Sequence, residues 1–255
     1  MRWDPTQYNR YAGERGRPFY DLVAQIGAYA PARVVDLGCG PGELTASLAD
    51  RWPAAEITGL DSSPEMIERA SALPGTDVRF GLGTAEDFSA TGVDVVISNA
   101  VLQWVPGHDA MLNRWASELN DGGWLAFQVP SNFGSPSHVL MRELAESPRW
   151  RDALEGVLRH ADAVRTPEQY LELLTVAGLT TTVWQTSYLH VLPGDDPVLE
   201  WVRGTGLRPV LAALDVADRA EFSAAYAAEL RAAYPRHEYG TVFPFLRTFA
   251  VAQKA

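Results

Sequence analysis

The 255-residue chain is short of several things, and each shortage excludes a class of protein. Its single cysteine, Cys39, rules out an intrachain disulfide and a cysteine zinc site, and no metal centre is expected. One lysine, Lys254, stands among 21 basic residues, against 32 acidic ones, for a net charge of −11. Such a chain offers no general basic face to nucleic acid or to anionic lipid headgroups. No apolar run reaches the roughly 18 residues that span a bilayer. The N-terminal "MRWDPTQYNRYAGERGRPF" is charged and aromatic, unlike a signal peptide or an anchor. The expectation is a cytoplasmic protein with neither a nucleic-acid nor a membrane partner. A P-loop is absent too, because no G-K-[ST] follows the glycines near position 40. Arginine carries nearly all the positive charge, so an arginine near a site is weaker evidence here than in a balanced chain.

What is present is a globular composition, 47% hydrophobic, with a clear alternation of patterns. Short apolar runs at 33–38, 56–60, 77–81, 93–100 and 124–130 have strand character. Helical patterns separate them at 41–52, 62–70 and 111–120. The second of these has Ser62 or Ser63 as cap, Pro64 early and Glu65 in the first turn. Strand–helix alternation predicts a parallel α/β sheet with helices on both faces, and ligands beyond the carboxyl ends of its strands. After Pro130 the pattern changes. "TPEQYLELLTVAG" (166–178) is a helix capped by Thr166 and stopped by Gly178, "LTTTVWQTSYLHVL" (179–192) is rich in β-formers, and 195–234 is helical. "PFLRTFAVAQ" (244–253) is a last strand. The expected fold is a Rossmann-like α/β architecture: a seven-stranded, mostly parallel sheet with a helical cap inserted near the C-terminus. Residues 1–130 and 241–255 would form the core with an N-terminal lid, and 131–240 the cap together with strand 179–192.

"VVDLGCGPGELT" (34–45) is a strand end, an acid and a glycine turn. Gly38, Gly40 and Gly42 give G-x-G-x-G, whereas a dinucleotide turn needs its third glycine at position 43, which is Glu43. Acids beside the turn disfavour a pyrophosphate and favour a cation. S-adenosylmethionine, with an ammonium and a sulfonium and no phosphate, suits Gly38 and Gly40 with Asp36 supplying negative field. Asp61, at the end of the next strand, can accept from both hydroxyls of a ribose, whichever adenosine ligand binds. Cys39 is a small residue of the turn; no base near it in sequence would make it a nucleophile.

These residues resemble the class I S-adenosylmethionine-dependent methyltransferases, with "VVDLGCGPG", "GLDSSPEMI" and "VDVVISNAVLQW" as the matching motifs. The resemblance implies that Gly38 and Gly40 face the methionyl part, Asp61 the ribose, and Ser62 and Met66 the adenosine. Asn99 would reach the methionyl end. The family often has an acid at the position of Thr84 to bind the adenine amine; here Ala85 or Glu86 is left to supply that contact. Arg17 would meet the cofactor carboxylate or pair with Glu14. Further stretches, "WDPTQYNRYAGERGRP", "SPSHVLMRELA", "WVRGTGLRP" and "LRTFAVA", look like the trans-aconitate methyltransferases. The implied reaction esterifies one carboxylate of trans-aconitate, a small anionic polycarboxylate.

A carboxylate is already ionised at neutral pH, so no general base is required and no catalytic residue beyond positioning groups is expected. Holding the remaining carboxylates calls for arginines and hydroxyls. Arg208, Arg247, Arg142 and Arg203 are the cationic candidates. His190, His138, Thr205, Tyr8, Tyr11, Gln103 and Trp104 would add hydrogen bonds or close the pocket. Each has a plainer alternative: Arg142 and Arg203 as solvated helix charges, His190 as a structural histidine, Trp201 as cap core, Tyr8 and Tyr11 as staples for the N-terminal arm. Alternatives for this sequence are esterification of another dicarboxylate or of a malonyl thioester on a carrier protein, a NAD-dependent oxidoreductase, and a non-catalytic cofactor-binding protein.

Overall fold

The computed structural model describes residues 12–158 and 163–255; Tyr8 and Tyr11 lie outside them. Helix α1 (Ala12–Val23) is followed by β1 (Arg33–Leu37), α2 (Glu43–Ala46), α3 (Leu48–Arg51), β2 (Glu56–Asp61), α4 (Pro64–Ser71), β3 (Arg79–Leu82) and β4 (Val95–Asn99). Then come α5 (His108–Glu118), β5 (Trp124–Pro130), α6 (Pro136–Ala145), α7 (Arg151–Leu154), α8 (Pro167–Val176) and β6 (Leu179–Leu192). Helices α9 (Pro197–Arg203), α10 (Arg208–Ala213) and α11 (Val216–Ala233) precede β7 (Arg236–His237) and β8 (Gly240–Lys254).

The main sheet runs β3-β2-β1-β4-β5-β8-β6, and the two-residue β7 pairs with β8 as an eighth, minor strand. Strands β1 to β5 are mutually parallel, and β8 is antiparallel to both β5 and β6. The expected mostly parallel α/β sheet is therefore present, with β8 running against both of its neighbours. Successive residues of β1 serve opposite faces: Val34 packs with Phe19, Leu22 and Trp52, and Val35 with Trp115 and Phe127. Burial on both faces explains why the central strands β4 and β5 are buried at nearly every position rather than alternately.

Strand order reverses between β1 and β4, the place where an open α/β sheet leaves a crevice. Strands β6 and β8 are much longer than the others, and their far ends overhang the sheet. There Leu192, Phe243 and Phe245 join Met141, Trp201, Leu207, Phe222 and Tyr226 in a separate apolar cluster. The overhang thus carries helices α6, α7, α9, α10 and α11 as a second packed layer beside the crevice. Helix α8, inside the same stretch of sequence, instead buries Tyr170 and Leu174 in the core of the sheet. It starts as its sequence predicts, with a capping box between Thr166 and Gln169 and Pro167 at the first position.

Local departures from the sequence reading have local causes. The helix expected over 41–52 divides into α2 and α3 where Ser47 Oγ donates back to the Leu44 carbonyl (2.6 Å). Helix α5 begins at His108, earlier than expected, because Gly107 takes a left-handed conformation (φ 70°) and caps it. Ser63, not Ser62, caps α4, accepting from the Met66 amide.

Candidate active site

Two cavities meet at the carboxyl ends of β1, β2, β4 and β5. The first lies over the glycine turn. It is lined by Gly38, Gly40, Asp61, Ser62, Ser63, Glu65, Met66, Thr84, Ala85, Glu86, Asn99, Val101 and Trp104, among others. The turn is built by three glycines with different duties. Gly38 (φ 77°) is crowded, since a Cβ there would come 2.1 Å from Val101 Cγ2. Gly42 (φ 90°) lets the turn settle against Ala70 and Phe80. Gly40 (φ 56°) has nothing within 4 Å of where its Cβ would stand and lines the cavity, which makes it a cradle for a ligand. Its amide donates to Asp61 Oδ2 and the Ser63 amide to Oδ1, each at 2.9 Å. A carboxylate has about four acceptor sites, so about two remain for a vicinal diol.

The other acids of the opening motif stand elsewhere. Asp36 is 2% exposed and does not line the cavity. It accepts from Thr45 Oγ1 (2.6 Å) behind the turn. Burial pushes its carboxyl up to about 7; the Thr45 hydrogen bond opposes this and Asp61 adds to it. Glu43 faces outward toward Arg69 (4.0 Å), because it is the first residue of α2 and leaves the turn on the solvent side. The negative field inside the cavity therefore comes from Asp61, Glu65 and Glu86. Thr84 donates to Asp87 Oδ2 (2.8 Å) at the rim. Cys39 is buried, and desolvation, then Asp36 and Asp61, push its thiol well above the ordinary range, which makes it a poor nucleophile. Arg17 lines neither cavity; it pairs with Asp21 (3.6 Å) and lies over the Tyr188 ring (5.4 Å).

The second cavity is roofed by the helical layer. It is lined by Asn99, Ala100, Gln103, Trp104, Asn132, Phe133, His138, Met141, Arg142, Trp201, Thr205, Phe245 and Arg247, among others. Arg247 is 5% exposed; it donates to Gln128 Oε1 (3.0 Å) and lies over the Phe245 ring (4.7 Å). Gln128 in turn donates to Asn99 Oδ1 (2.8 Å), so a buried polar bridge joins Arg247 to a residue of both cavities. Arg142 donates to the Phe133 carbonyl (2.7 Å). His138 Nδ1 meets Ser137 Oγ (3.3 Å), and its Nε2 stands 3.3 Å from where a Cβ on Gly206 would be. Gln103 donates to the Ala100 carbonyl (2.6 Å).

Of the sequence candidates for this pocket, Gln103, Trp104, His138, Arg142, Thr205 and Arg247 come together here. Three do not line it. Arg208 opens α10, and it is its neighbour Pro209 that faces the cavity. Arg203 pairs with Glu200 (3.2 Å) on the same helix. His190 is buried beneath, stacked on Trp201 (4.7 Å between centroids). Trp201 is core and wall at once, 1% exposed yet lining. Sequence reasoning missed Asn132, Phe133 and Phe245. The first two follow the carboxyl end of β5, the kind of position where ligands are expected.

Asn99, Ala100 and Trp104 belong to both cavities and form the junction. Ala100 has φ 60°, the one non-glycine residue with positive φ among the described residues. Backbone held in that region costs on the order of 1 kcal/mol and clusters at functional sites. The cavities are also sorted by charge. No Lys, Arg or His lines the first and no Asp or Glu the second, among the described residues.

Residues 34–123 match the family model for a methyltransferase domain. The chain is 55% identical to a trans-aconitate 2-methyltransferase of Streptomyces avermitilis, over 99% of this chain and 97% of that one. It is 56% identical to another of that description from Streptomyces coelicolor, over 99% and 86%. Among solved structures, the YcgJ protein from Bacillus subtilis shares the fold, with a TM-score of 0.59 at 16% identity over 93% of this chain and 98% of that one. By full-length similarity to these relatives, the chain belongs to the family of trans-aconitate 2-methyltransferases.

Proposed function

We propose that this protein transfers the methyl group of S-adenosyl-L-methionine to one carboxylate of trans-aconitate, giving a monomethyl ester and S-adenosyl-L-homocysteine. The observation that carries this reading is the charge sorting: an acidic cavity and a basic one share the wall made by Asn99, Ala100 and Trp104. A cationic donor and an anionic acceptor fit those two spaces, and the relatives' description names the acid.

The residues over the glycine turn suit the donor. Gly40 leaves open space for its methionyl part, Asp61 has acceptor capacity for a ribose diol, and Ser62, Met66 and Ala85 border the adenosine. When bound, the donor supplies a methyl group on a cationic sulfur. The protein's own task is alignment. Arg247, Arg142 and His138 hold the carboxylates, the carboxylate oxygen itself is the nucleophile, and no proton has to be removed. Trp201, Phe133 and Phe245 keep water from the acceptor. This reading places the enzyme in the cytoplasm with a small acid as its partner; among the described residues no helix is long and apolar enough to cross a membrane.

The test is incubation with methyl-labelled donor and, separately, trans-aconitate, cis-aconitate, citrate and isocitrate. Label is expected in a base-labile ester of trans-aconitate ahead of the others. Label in none of the acids would remove the substrate from the reading.

A further inference from the structure

We infer that Asn132 is a specificity-determining residue of the acceptor cavity, donating through Nδ2 to a carboxylate of the bound acid. This rests on the function proposed above. Asn132 lies just past β5, lines the cavity and is only 2% exposed. Its amide is fixed in one sense. The Leu246 amide, which can only donate, stands 2.6 Å from Oδ1, so the oxygen must face β8 and the nitrogen must face away from it. Nδ2 then has no hydrogen-bond partner among the described residues. A buried amide nitrogen left unpaired costs free energy, and Asn132, a wall residue of the cavity, thus holds a donor in want of an acceptor.

The acceptor's chemistry follows from the surroundings. Leu246 is the neighbour of Arg247, and the carbonyl of Leu246 accepts from the Ser131 amide (2.9 Å), which locks the 131–132 turn to that strand. Asn132 and Arg247 are therefore held by adjacent residues of one strand, and both line the same cavity. One is a neutral donor and the other a cation, a pairing that suits an anionic oxygen group and rejects an ammonium or an amide N–H. The inferred ligand is an acceptor carboxylate.

Asn132→Asp tests this with little change of shape, since either carboxylate oxygen still accepts from the Leu246 amide while the donor is lost and a repelling charge appears. The KM for trans-aconitate should rise about ten- to a hundred-fold, with the dissociation constant for S-adenosylhomocysteine within about two-fold of wild type and kcat reduced less than KM is raised. Should this variant fail to bind S-adenosylhomocysteine, Asn132→Leu replaces it, with the same expectation for the acid. An unchanged KM in a variant that still binds S-adenosylhomocysteine, or equal losses for acid and cofactor, overturns the assignment. Wild-type protein is the reference arm: if it neither binds nor methylates trans-aconitate, the proposed function fails and this assignment with it.

Discussion

Arg247→Met separates acceptor binding from everything else the fold does. The arginine is 5% exposed in a largely apolar strand and lines the cavity beneath the helical layer. Methionine keeps the unbranched stem over the Phe245 ring and removes only the guanidinium. Two effects on stability oppose each other. Gln128 Oε1 loses its donor, at about 1–3 kcal/mol. Removing a buried cation returns a desolvation cost of comparable size. The melting temperature should therefore stay within about 5 °C of wild type. Acid binding has no such compensation. Hydrogen bonds to a charged group are each worth about 1.5–3 kcal/mol. Loss of the fork should therefore cost about 3 kcal/mol, which is roughly a hundred-fold in KM for trans-aconitate. Arg247→Lys, which keeps the charge and loses the planar fork, should fall between. The assay is steady-state KM for the acid beside calorimetry with S-adenosylhomocysteine. Equal losses for acid and cofactor, or an unchanged KM for the acid, would refute the assignment of Arg247 to the acceptor.

Further outcomes are expected for the glycine turn, for Asp61 and for pH. Gly38→Ala should unfold or strongly destabilise the protein, because its Cβ would strike Val101, and Val101→Ala should partly rescue it; Gly40→Ala should melt within a few degrees of wild type yet bind S-adenosylhomocysteine at least about ten-fold more weakly. Asp61→Asn should also weaken S-adenosylhomocysteine at least about ten-fold, since one end of the amide would present N–H groups to the Gly40 or Ser63 amide; calorimetry reads both. The third concerns pH. The carboxyl of Asp36 is raised from 3.8 unfolded to about 7 folded, so the native state holds a proton that the unfolded chain releases between those values. Its contribution to stability therefore falls as pH rises from about 4 to about 7 and stays low above that. Asp36→Asn should match wild type near pH 4 and melt higher near pH 8, as measured by calorimetric melting across that range.

The parts of the molecule legible in sequence were those decided by local chemistry. The glycine turn, the Ser63 and Thr166 caps and the apolar strands depend on neighbours a few residues away. Arg247 was legible for a related reason: a charge in an apolar strand needs a purpose. What was not legible depends on contacts between distant segments. The orientation of Asn132 is set by Leu246, 114 residues away. Whether Arg208 or Pro209 faces the cavity depends on how α10 packs, which no local spacing encodes. Glu43 is an acid beside the turn in sequence, where a dinucleotide turn has glycine, yet its side chain faces Arg69. Position 43 still argues against a dinucleotide; the acids inside the cavity are different ones.

In the proposed function, methyl passes from an acidic cavity to a basic one past Asn99, Ala100 and Trp104. The most direct test is a crystal structure of the protein with S-adenosylhomocysteine and trans-aconitate bound together. The nucleoside is expected against Asp61 and Met66, and the acid against Arg247 and Asn132, with one carboxylate oxygen directed across the junction at the sulfur. An acid bound away from Arg247, or with no carboxylate facing the sulfur, would contradict it.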